Sequence, residues 1–205
     1  MLNYWDNNVV KKLETDWNRL SDKGMEHMFS LAEGLGDSFI DLGCGYGRFL
    51  EFLKKNHTDL EYFGYDSSIS MITLAMQRNP GYSFSVADIT APLYQWMLVN
   101  HYVDVVVCNE VLIHLPIVQQ PFLLRNIGRV NFEHLLLSIQ YGDKIREEIV
   151  SLENQQFHNI VQNKNVFVES LIREVGGIES ISETSFHLIG DVWRLNIHAK
   201  RIQDT

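Results

Sequence analysis

Apolar residues recur along this chain with two periods. From Ser38 onward, short runs rich in β-branched and aromatic residues alternate with longer stretches of helical spacing, the pattern of a parallel sheet covered by helices. Strands are predicted near Ser38–Leu42, Glu61–Tyr65, Ser83–Ala87, Val103–Cys108 and His134–Gln140. In VDVVVC and HLLLSI the apolar residues are nearly continuous, as in strands covered on both faces. Helices are predicted at Arg48–Asn56, Ile69–Arg78, Pro92–Asn100 and Ile117–Val130, and a helical pair over Tyr4 to Gly34. Asp143 to Gly177 reads as one or two helices ended by Gly176 and Gly177, with the polar, weakly periodic ENQQFHNIVQNKN as a loop. The tail alternates strictly in IESISETSFHLI and DVWRLNIHAKRI, which Gly190 and Asp191 join as an antiparallel hairpin.

At 205 residues, 45% hydrophobic and 21% charged, the chain fits one soluble α/β domain over 1–205, with 1–36 as a helical cap on a core of 37–205. With 17 basic against 26 acidic residues the net charge is −9, which argues against nucleic acid as a partner. Cys44 and Cys108 are too few for a disulfide framework or zinc site, so no metal is expected and a reducing cytoplasm fits. The N-terminus lacks the pattern of a secretory leader, and no apolar run reaches the roughly 18 residues of a membrane span. No membrane association is expected.

Ligands of open parallel sheets bind at the carboxyl ends of the strands, and four predicted strands end in unusual residues. The first leads into DLGCGYG, with Asp41 ahead of Gly43, Gly45 and Gly47 and a helix after them. The second ends at Asp66, placed to accept hydrogen bonds from a ribose diol. The third ends at Asp88 and Ile89, an acceptor beside an apolar surface, which suits adenine. The fourth ends in CNEVLIHLP, where Asn109, Glu110 and His114 follow a fully apolar run. The dinucleotide fingerprint G-x-G-x-x-G fails, because counting from Gly43 its third glycine falls on Arg48. Asp41 beside the loop favours a cationic ligand over a pyrophosphate.

FIDLGCGYGRF, YFGYDSSISMI, SVADIT and VDVVVCNEVLIHLP, in that order, resemble the class I S-adenosylmethionine-dependent methyltransferases over about Ser38 to Val130. The resemblance implies a three-layer, Rossmann-like α/β sandwich with a seven-stranded, mostly parallel sheet whose last strand is antiparallel. It implies S-adenosylmethionine as cofactor and S-adenosylhomocysteine as product. Asp41, Gly43, Cys44 and Gly45 would line the methionine end, Ser67 and Met71 would lie beside the adenine with Asp88 and Ile89, and Asp66 would hold the ribose. Asn109 would offer its backbone carbonyl to the methionine amino group, and an N-terminal helix carrying Tyr4 and Trp5 would close over the site.

The predicted activity is methyl transfer to an oxygen or nitrogen of a small molecule, with His114 or Glu110 as candidate base. Tyr4, Trp5, Tyr141 and His158 are candidates for the acceptor pocket, with Asp143 and Trp193 as further ones. NEVL in place of NPPY or DPPY argues against methylation of exocyclic amines of bases, and the missing paired aspartates argue against aminopropyl transfer. The alternative is a non-catalytic protein of the same fold that binds the cofactor to sense it.

Overall fold

The computed structural model of the protein describes residues 23–55, 57–91, 102–152, 155–189 and 192–202. Helix α1 (Lys23–Ala32) leads into β1 (Ser38–Leu42), α2 (Arg48–Leu53), β2 (Glu61–Asp66), α3 (Ile69–Arg78), β3 (Ser83–Val86) and β4 (Tyr102–Cys108). Two 3-10 turns, Leu112–His114 and Ile117–Gln119, precede α4 (Gln120–Gly128). The chain continues through β5 (Asn131–Tyr141), β6 (Arg146–Leu152), β7 (Gln155–Gln162), α5 (Lys164–Val175), β8 (Ile178–Ile189) and β9 (Val192–Arg201).

Five strands run parallel in the order β3-β2-β1-β4-β5. Successive strands therefore lie on opposite sides of β1, and the sheet opens a crevice at the carboxyl ends of β1 and β4. Strand β9 pairs antiparallel with β5, and β8 pairs with β9. All seven predicted strands are present, the last one antiparallel, and β6 and β7 extend the expected seven-stranded sheet to nine.

Alternation along the strands divides the core into two layers. Phe39, Tyr62, Phe84, Val107 and Leu136 pack on one face against Met28 of α1, Phe49 and Leu50 of α2, and Ile72 and Ala75 of α3. Ile40, Leu42, Val106, Leu135, Leu137 and Leu195 pack on the other against Leu123 and Ile127 of α4 and Phe167 and Leu171 of α5. Local signals hold the helix starts. Ser68 caps α3 by accepting from Met71 N–H at 3.2 Å, and Asn163 caps α5 by accepting from Val166 N–H at 3.2 Å.

Three expectations are corrected. The segment after β5 is not helical throughout: its first half is the hairpin β6–β7, and only α5 is a helix. The cause is a non-local pairing. Strand β4 stops at Cys108, opposite Leu137, while β5 runs on to Tyr141. With β9 on its other side, β5 leaves the β4 side of Gln140 and Tyr141 open, and Val161 and Gln162 of β7 fill that row. The hairpin therefore stands beyond the carboxyl end of β4. Secondly, α4 begins at Gln120 rather than Ile117, with Pro121 in its first turn where no N–H is required. Thirdly, α2 ends at Leu53, with Lys54 as its cap. The predicted helix Pro92–Asn100, the first helix of the N-terminal pair, Tyr4, Trp5 and the Gly190–Asp191 turn lie outside the described residues. No helix among the described residues is long and apolar enough to cross a membrane.

Candidate active site

The rim of the sheet starts at the β1–α2 loop. Gly43 and Gly45 both have left-handed backbones, with φ of 80° and 54°, but for different reasons. A Cβ on Gly43 would come within 2.3 Å of Val111 Cγ2, so the loop after β4 is what excludes a side chain there. A Cβ on Gly45 would meet only Met71 Sδ, at 4.0 Å. Cys44 turns its thiol into the core between them, leaving its backbone on the rim. Burial pushes the thiols of Cys44 and Cys108 up, so neither is a ready nucleophile.

Two carboxylates lie beneath and beside this loop. Asp41 is 3% exposed and accepts a 2.5 Å hydrogen bond from the Tyr62 hydroxyl. Its pKa is pushed up to about 7, chiefly by burial; the Tyr62 bond opposes the rise and the Asp66 charge adds to it. Asp66 receives the Gly45 N–H on Oδ2 at 3.0 Å and the Ser68 N–H on Oδ1 at 2.8 Å. Burial raises its pKa as well, against those two backbone bonds. Two N–H groups occupy about half of the four acceptor directions of a carboxylate. Met71 packs against Tyr46 of the loop, and Ser67 is exposed at the start of α3.

After β3, Asp88 Oδ1 accepts from the N–H and hydroxyl of Thr90, at 2.9 and 2.7 Å. The Ile89 carbonyl is held by the Asn126 amide at 3.1 Å, and the Ile89 side chain belongs to the core layer under α4. After β4, Ser138 Oγ of β5 donates to Asn109 Oδ1 at 2.8 Å and accepts from Glu110 N–H at 2.8 Å. The Glu110 carboxylate pairs with Arg194 of β9, a residue 5% exposed. The 3-10 turn then presents His114, whose Nδ1 is 3.0 Å from the His158 carbonyl of β7. That contact requires the hydrogen on Nδ1, which makes Nε2 the basic nitrogen. Burial pushes the His114 pKa down, so the ring is neutral at pH 7.

Residues 39–131 match the family model described as a methyltransferase domain. Over 93 residues the chain is 32% identical to a trans-aconitate 2-methyltransferase of Yersinia pestis (strain Pestoides F), a match covering 45% of this chain and 33% of that protein. It thus spans about a third of the length of that relative. Among solved structures it is similar to a TehB-like SAM-dependent methyltransferase of Corynebacterium glutamicum, with a TM-score of 0.66, 18% identity, and 96% and 100% of the two chains covered. The N-terminal domain of EvdMO1, determined in the presence of SAH and D-fucose, superposes with a TM-score of 0.66 at 14% identity, covering 89% of this chain and 84% of that one. Residues 39–131 are thus similar to a methyltransferase domain, and the fold is that of S-adenosylmethionine-dependent methyltransferases of known structure.

At this rim the structure gathers Asp41, Gly43, Cys44, Gly45, Asp66, Asp88, Asn109, Glu110 and His114 at the ends of β1 to β4. His158 joins them through its carbonyl, and its ring lies 3.2 Å from Glu147. Tyr141 is turned away. Alternation sets it on the opposite face of β5 from Ser138 and Gln140, and its hydroxyl donates to Ser185 at 3.1 Å. Trp193 is 38% exposed and meets His187 edge-on. Among the described residues no group of His, Cys, Asp and Glu could hold a metal ion.

Sequence reasoning missed Tyr62, Ser138 and Arg194. Ser138 was signalled, as the lone hydroxyl inside HLLLSI. Arg194 was not. The polar positions of an alternating strand normally face water, yet here Arg194 and Asn196 are 5% and 1% exposed.

Proposed function

We propose that the protein transfers the methyl group of S-adenosylmethionine to an oxygen or nitrogen atom of a small molecule. The observation that carries this reading is the chemistry of the rim. A buried carboxylate at Asp41 and a second at Asp66 flank a loop whose Gly45 Cβ direction meets nothing nearer than 4.0 Å. Such a pair repels a pyrophosphate and favours a ligand with a cationic amino acid at one end and a ribose diol at the other. S-adenosylmethionine is such a ligand, and it supplies an electrophilic methyl on a sulfonium.

In this reading Asp66 accepts the ribose hydroxyls through the directions left by Gly45 and Ser68, and Ser67 and Met71 lie on the adenine side with Asp88 and Ile89. Asp41 supports the ammonium end from beneath, together with the backbone of Gly43, Cys44 and Gly45. Asn109 turns its carbonyl to the same group. His114 takes the proton of the acceptor on Nε2, because its Nδ1 hydrogen is committed to His158 and its ring stays neutral. Glu110, engaged by Arg194, holds the loop and is not the base. The β6–β7 hairpin, beside the turn that carries His114, lines the acceptor pocket. The relative named for trans-aconitate and the neighbour determined with D-fucose support a small-molecule acceptor.

The experiment that tests activity is incubation with methyl-labelled S-adenosylmethionine and fractionated cell metabolites. Label in a small organic product, lost in His114→Gln, supports the reading. Binding of the donor with no transfer to any fraction favours a sensing role instead.

A further inference from the structure

Glu110 is the one non-glycine residue with a positive φ among those described, at 59°. A residue with a Cβ is strained there, and such strain persists only where the surroundings enforce it. Two groups from the neighbouring strands β5 and β9 do so. Ser138 Oγ takes the Glu110 N–H at 2.8 Å, and Arg194 takes its carboxylate. Both are buried, at 2% and 5% exposure. They share one face of the sheet, because β5 and β9 pair Ser138 with Asn196 and Gln140 with Arg194.

The geometry of a trans peptide gives this arrangement a consequence. The Glu110 N–H and the Asn109 C=O belong to one planar unit and point in opposite directions across it. A hydrogen bond that pins the N–H down onto Ser138, within β5, aims the Asn109 carbonyl away from β5. Ser138 also fixes the neighbouring side chain by donating to Asn109 Oδ1 at 2.8 Å. Arg194 then holds Glu110 in the left-handed conformation that this peptide orientation demands.

We propose that Ser138 and Arg194 are positioning residues for the methyl donor, locking the Asn109–Glu110 peptide so that the Asn109 carbonyl meets the donor's ammonium group. The inference rests on the donor reading given above. Its selective feature is that only the amino-acid end of the donor depends on the lock.

Two probes separate that end from the rest: S-adenosylhomocysteine, and 5′-methylthioadenosine, which keeps the adenosine and thioether but has no ammonium. Calorimetric titration of Ser138→Ala and Arg194→Met is expected to show about a tenfold loss of affinity for S-adenosylhomocysteine, the size of one hydrogen bond to a charged group, with methylthioadenosine changed less than about twofold. If Arg194→Met unfolds because it strands the Glu110 charge, the neutral pair Arg194→Met/Glu110→Gln carries the same expectation. Equal weakening of both probes assigns Ser138 and Arg194 a general structural role and overturns the proposal, as does no change for either. A natural chain that binds neither probe overturns the donor reading itself.

Discussion

The hydroxyl of Tyr62 on β2 donates a 2.5 Å hydrogen bond to the carboxylate of Asp41 on β1, directly under the glycine loop. It is a buried acid held near its titration point, with a pKa of about 7 against 3.8 for a free one. The folded chain therefore binds this proton more tightly than the unfolded chain between about pH 4 and 7, and its stability falls as pH rises through that window. Asp41→Asn removes the effect. Unfolding by urea at pH 5 and pH 8 should show the natural chain losing more stability on going to pH 8 than the variant does, by on the order of 1–4 kcal/mol. An identical loss in both would show that Asp41 does not titrate there.

In the proposed donor site the same proton bears on the ligand. Asp41 carries its charge only above about pH 7, so affinity for a cationic amino-acid group should fall as pH drops from 8 to 6. Tyr62→Phe withdraws the one bond that lowers the pKa and should move this fall to higher pH. Affinity for S-adenosylhomocysteine measured across that range checks both statements.

The positions of Asp41 and Asp66 were legible because each ends a short apolar run, and such runs show in a single sequence wherever both strand faces are covered. The glycine loop was legible too, though its cause was only half understood, since Gly43 makes room for Val111 rather than for a ligand. The β6–β7 hairpin was not legible. Its residues are mostly polar, and they become strands by pairing with Gln140 and Tyr141, partners set by where β4 happens to end. Arg194 was hidden for a related reason, because the polar side of β9 faces inward.

His114 should be essential to transfer and dispensable for donor binding. His114→Gln is expected to lower kcat by about 10²–10⁴ and leave affinity for S-adenosylhomocysteine near that of the natural chain. Because burial lowers the His114 pKa, the acid limb of the rate profile should lie below pH 6.5. A limb above pH 7 in the natural chain would assign the base elsewhere.

The hairpin is tied to the turn that carries His114. Gln162 of β7 donates to Gln120 Oε1 at 2.5 Å, and Gln120 Nε2 donates to the carbonyls of Leu112 and Leu115, both at 3.0 Å. Gln162→Ala strands a buried acceptor and should cost about 1–3 kcal/mol in thermal or urea unfolding. It should also raise KM for the acceptor while leaving donor affinity unchanged, since no donor contact passes through it. Loss of donor affinity instead would place the hairpin over the cofactor.

The central claim is that the rim formed by Asp41, Gly45, Asp66 and Asn109 is a methyl-donor site. Calorimetric titration of the natural chain with S-adenosylhomocysteine tests it most directly, with Asp66→Ala as the paired variant. One molecule bound per chain, with affinity reduced roughly tenfold or more when the Asp66 carboxylate is removed, is the predicted result. Absence of binding, or binding that Asp66→Ala leaves unchanged, would contradict it.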